Sequence, residues 1–86
     1  MPEISRFFGI VVAMFYGDHA PPHFHVRYAG HRAIVSIESG TVLTGELPPR
    51  AVGLIAEWVE LHRSELRMNW IRARAQEPLL PVPPLE

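Results

Sequence analysis

The sequence predicts an α+β domain: a small antiparallel meander of three or four strands, covered on one face by a C-terminal helix. Three observations predict it. Residues 7–16 form a β-branched and aromatic run, residues 23–28 alternate with period two, and from Arg50 the apolar spacing becomes helical. At 86 residues the chain is short enough for one domain, expected over 1–76, followed by a proline-rich tail over 77–86.

The first element is Phe7 to Tyr16. Both parities are apolar, so it reads as a single strand buried on both faces. It is too short to span a bilayer. Glu3 precedes it and no small-residue cleavage site follows, so it does not read as a secretion signal. A cytoplasmic protein with no membrane partner is expected. Gly17-Asp18 ends the strand, and a loop runs through Pro22.

The second strand is His23 to Tyr28. Phe24, Val26 and Tyr28 fall on one face, and His23, His25 and Arg27 on the other. Ala29-Gly30 reads as a two-residue hairpin turn. That register pairs Tyr28 with His31, Arg27 with Arg32, Val26 with Ala33, His25 with Ile34, Phe24 with Val35 and His23 with Ser36. It makes one apolar face, and a second, largely polar face that also holds Arg32, Ser36 and Glu38. A one-residue slip would scramble both faces, so the agreement supports the pairing. Ser39-Gly40 is a further turn, leading to a short strand over 41–44.

Pro48-Pro49 then announces a helix, since proline suits its first position, and Leu47 can pack back on the first turn. Val52, Ile55, Ala56, Val59, Leu66, Trp70 and Ala73 follow at helical spacing. A straight rod over 49–75 would be about 40 Å long, longer than the ~30 Å breadth of a compact chain this size. A bend or break near 62–64 is therefore expected. The tail over 77–86 interleaves proline with leucine and valine and cannot be helical. It should run extended over the surface or dock on a partner. Trp58, Trp70 and His62 fall at core positions of the helix and read as packing residues.

Composition narrows the chemistry. There is no cysteine, which removes disulfides, thiolate nucleophiles and cysteine-bearing zinc sites. Net charge is −1, so no global basic field attracts nucleic acid. All eight basic residues are arginine, a side chain suited to bidentate phosphate or carboxylate recognition and also a common product of GC-rich genomes. No cofactor-binding fingerprint is present, and no cofactor is expected.

The segment Tyr16–Val26 gathers three of the five histidines. Three readings stay open. In a catalytic surface, His23 and His25 transfer protons, Arg27 and Arg32 stabilise charge, and Asp18 orients an imidazole. Such a surface could cleave RNA without a metal. In a metal site, His23 and His25 supply two imidazoles and His19 or Asp18 completes the set. In a packing role, Asp18 caps a turn and the histidines serve structure or a protein interface.

The stretches PEISRFFG, DHAPPHFHV, LPPRA and ELHRSEL-NW resemble a bacterial family catalogued as domain of unknown function 4160, over Met1 to about Pro78. The matching motif positions are Asp18, His19, Pro21, Pro22, His23, Phe24, His25 and Val26. Genes of this family often lie beside one for a second small domain, number 2442, in an arrangement like a toxin–antitoxin operon. The resemblance thus implies a toxin with a cognate antitoxin-like protein partner. It carries over no catalytic set. RNA is the expected target, a non-enzymatic interaction or regulatory domain is the alternative, and a homo-oligomer stays open.

Overall fold

The computed structural model describes residues 2–86. Five strands form one antiparallel sheet in sequence order: β1 (Glu3–Phe7), β2 (Ile10–Ala13), β3 (His23–Tyr28), β4 (His31–Ser36) and β5 (Val42–Gly45). One helix follows, α1 (Pro49–Arg74). The fold is therefore α+β, with five strands where three or four were expected.

The extra strand comes from the apolar run at the N-terminus. It is not one strand but the return of a hairpin. Phe8 (φ 48°) and Gly9 (φ 80°) turn the chain between β1 and β2, pairing Phe7 with Ile10. Both central residues have positive φ, as the tightest right-twisting hairpin turns require. Ala29 (φ 47°) and Gly30 (φ 81°) repeat the device between β3 and β4. There the pairing runs from Tyr28↔His31 to His23↔Ser36, in the register read from the sequence.

One face of the sheet packs on α1. Ile10, Val12, Phe24, Val26, Val35 and Ile37 are buried against Ile55, Trp58, Val59 and Leu66. Trp58 holds the centre, with ring centroids 5.3 Å from Phe7 and 5.7 Å from Phe24. Burying side chains of this size is worth about 1.5–3 kcal/mol each, so this layer is the main source of cohesion.

The helix starts at Pro49, and Leu47 is buried beneath its first turn. It is a single 26-residue element, and His62 alone departs from helical dihedrals (φ −126°, ψ 23°). Gln76, at φ 58°, ends it with the Glu77 N–H donating to the Arg72 carbonyl at 2.9 Å. Among the described residues no helix is long and apolar enough to cross a membrane.

The proline-rich tail docks on its own chain. Buried Asn69 donates to the Leu80 carbonyl (2.8 Å) and accepts the Leu80 N–H (2.9 Å). Val82 N–H donates to Ile4 O at 2.8 Å, so the tail covers the outer edge of β1. Trp58 Nε1 donates to Pro83 O at 2.9 Å, and Val82 and Leu85 are buried.

Candidate functional site

The loop between β2 and β3 is built so that Asp18 meets the start of β3. Its N-terminal end is tied to the C-terminal end of α1. Gly17 N–H donates to Ala73 O (3.4 Å), and Arg74 Nη1 donates to the Asp18 carbonyl (3.3 Å). The Ala20–Pro21 peptide is cis.

Asp18 Oδ2 lies 2.9 Å from His23 Nε2 and 3.3 Å from His25 Nε2. Its other oxygen, Oδ1, accepts the His19 backbone N–H at 3.1 Å. Burial acts to raise the Asp18 carboxyl, but the hydrogen bonds from His25, the His19 N–H and His23 outweigh it and hold Asp18 below its ordinary value. Asp18 is therefore an anion shared between two imidazoles.

The tautomer of His23 is constrained. Nδ1 is 2.7 Å from the Pro21 carbonyl oxygen, which can only accept. His23 must donate from Nδ1, so it also donates to Asp18 from Nε2 only as the imidazolium, and as the neutral ring it turns a lone pair to the carboxylate. A proton or a cation has to lie between them.

The two histidines differ in setting. They share a strand face by parity, yet His23 is only 8 % exposed. Its ring sits 5.2 Å from that of Trp70, near the C-terminal end of α1. His23 thus forms an inner wall rather than part of an open polar row. His25 is half-buried, and the Phe15 ring meets it edge-on at 4.4 Å. Parity sets the face a side chain leaves from, not what the chain then folds over it.

Beyond His25 the sheet face opposite α1 is open. His25, Arg27, Arg32, Ile34 and Thr44 line a groove of about 320 Å³, walled at one end by Phe15. Arg27 and Arg32 are directly opposed across β3 and β4, and both are exposed. Arg6, Arg63, Arg67, Arg72 and Arg74 are all engaged by carboxylates or carbonyls. Arg27, Arg32 and Arg50, at the start of α1, make no such side-chain bond among the described residues, and of these only Arg27 and Arg32 adjoin each other.

The structure therefore brings Asp18, His23 and His25 together, and sets Arg27 and Arg32 along the adjoining groove. The side chain of His19 is exposed and outside the cluster, where only its backbone takes part. Sequence reasoning missed Phe15, Trp70, Arg74 and the Pro21 carbonyl as supports. Trp70 carried a signal only of helix packing. Nothing in spacing linked residue 74 to residue 18.

No curated protein and no solved structure matches the chain. A family model does match, that of the domain of unknown function DUF4160, over residues 9–71. That span runs from the first hairpin turn through the Asp18–His25 loop, the whole sheet after β1 and most of α1, so the chain belongs to the DUF4160 family.

Proposed function

We propose that this chain is the toxin of a bacterial two-protein pair and that it acts in the cytoplasm on RNA. In this reading the groove beside β3 and β4 grips a phosphodiester through Arg27 and Arg32. His25, backed by Asp18, moves the proton at the scissile phosphate. The antitoxin-like partner covers the same face.

The observation that carries the reading is the Arg27–Arg32 pair. Like charges directly opposed across two strands destabilise a sheet. Here they are exposed and unpaired, in a chain whose other sheet and helix arginines are largely engaged. An anion seated between them removes the repulsion and gains charge-assisted hydrogen bonds. The spacing of His25 and Arg27, two apart on one strand, is about 7 Å, a span that one phosphodiester can bridge. The toxin role itself is supported by the family resemblance.

The test is expression of the chain alone in a bacterial host. Growth should arrest, and His25→Ala or Arg27→Ala should restore growth while the purified variants keep the wild-type far-UV spectrum. Normal growth on expression of folded wild-type protein removes the toxin reading. Arrest that persists in both variants removes the groove from it.

A further inference from the structure

We propose that Asp18, His23 and His25 form a binding site for a divalent transition-metal ion, with zinc the best fit. The inference goes beyond the groove reading and stands without RNA.

The donor atoms are already gathered. One carboxylate oxygen and two ring nitrogens lie within 4.8 Å of one another. Zinc binds imidazole nitrogen and carboxylate oxygen at about 2.0–2.2 Å in tetrahedral sites, which places neighbouring donors about 3.3–3.5 Å apart. The Asp18–His23 and Asp18–His25 separations are 2.9 and 3.3 Å. Both separations involving Asp18 are close to that spacing, and the third, between the two ring nitrogens, is within 4.8 Å.

The supports are those of a ligand set. A metal-binding histidine usually donates its other ring N–H to a carbonyl or carboxylate, which fixes the tautomer and aims the lone pair. His23 does so to Pro21 O at 2.7 Å. Asp18 has one oxygen occupied by the His19 N–H and the other turned to both imidazoles, which prepares it as a single-oxygen ligand. Phe15 and Trp70 fix the planes of His25 and His23. Bridging by protons alone is the competing account. It needs an added proton on His23, because the neutral ring has already spent its one N–H on Pro21.

Three protein ligands leave a fourth position. About a quarter of the Asp18 and His25 side-chain surface is open, at 26 % and 28 %, while His23 closes the inner side at 9 %. Sites with three protein ligands and one open position are the catalytic kind, whereas structural zinc sites are closed by four. The lack of cysteine is consistent with a nitrogen and oxygen set. If zinc fills the site, His25 serves as a ligand and no longer as the proton carrier of the groove reading.

The test is titration of the tag-free full chain, stripped with chelator, with zinc chloride in a calorimeter. One equivalent should bind per chain and raise the melting temperature, as a ligand of the folded state alone must. Asp18→Asn and His25→Gln, both at part-exposed positions, should each weaken binding by at least about 10–100-fold, the loss that even an outer partner's removal brings. His19→Ala and Arg27→Ala should bind as wild type. A wild-type chain that takes up no zinc overturns the proposal. So does full affinity in the Asp18 and His25 variants, or a loss confined to His19→Ala. The growth assay fails or succeeds separately, because Arg27→Ala is predicted to abolish arrest and to leave zinc binding intact.

Discussion

Replacing Asn69 by alanine tests whether the tail belongs to the folded core. Asn69 is 1 % exposed, and its amide closes a pair of bonds with the backbone of Leu80 at 2.8 and 2.9 Å. Each such bond contributes about 0.5–1.5 kcal/mol net. Their loss should cost about 2 kcal/mol, before any cavity left by the shorter side chain is counted. For a domain of this size, about 2 kcal/mol lowers the melting temperature by about 8–16 °C. The fall should carry the tail with it, because Leu80 is the clamp that leads Val82 to Ile4 O and Pro83 O to Trp58 Nε1. The assay is thermal unfolding by circular dichroism, with tryptophan fluorescence reporting on Trp58. Asn69→Asp keeps the acceptor for the Leu80 N–H but sets a carboxylate against the Leu80 carbonyl, so it should be worse than alanine at neutral pH. An unchanged melting temperature in Asn69→Ala, or in a chain ending at Gln76, refutes the reasoning and makes the tail a bystander.

Other perturbations separate stability from function. Gly45→Ala should cost about 1–3 kcal/mol of strain, because φ is 83° and a Cβ there would lie 2.8 Å from Ala33 Cα and closer still to the Arg32 carbonyl oxygen. Gly30→Ala, at φ 81° with nothing within 4 Å, should cost only the left-handed penalty of about 1–2 kcal/mol; denaturant midpoints of the two variants give the comparison. Arg27→Thr should raise the melting temperature by a few degrees, since relieving an opposed like-charge pair is worth about 0.2–1 kcal/mol, while weakening RNA binding in a filter assay. A fall in both would mean that Arg27 is a structural residue. Glu38 is held below its ordinary value of 4.5, first by the Arg67 hydrogen bond and then, against burial, by the charges of Arg67 and Arg63. A carboxylate with a depressed folded value stabilises above its unfolded value, and that contribution fades as pH falls through the folded one. Glu38→Gln should therefore melt slightly lower than wild type at neutral pH, converge with it in acid, and lose the difference in high salt.

Legibility followed the range of the interactions. The β3–β4 register could be read because it rests on six alternating residues and a turn, all adjacent in sequence. The β1–β2 hairpin was hidden by the same physics. Its turn, Phe8-Gly9, carries an exposed phenylalanine inside an apolar run, so composition showed no break where the backbone has one. The membership of Asp18, His23 and His25 in one cluster was legible for the first reason, since only a short loop separates them. Their unequal burial was not.

By itself the sequence determined an α+β fold with its central hairpin in register, a helix begun by proline, and a loop able to gather carboxylate and imidazole. These follow from dihedral preference and periodicity, which act over a few residues. Tertiary structure alone decided that Trp70 would close over His23, that Arg74 would anchor Asp18, that the tail would seal the edge of β1, and that Arg27 and Arg32 would remain uncovered. Each of those depends on how α1 lies across the sheet, and that placement is fixed by the summed burial around Trp58 rather than by any local pattern.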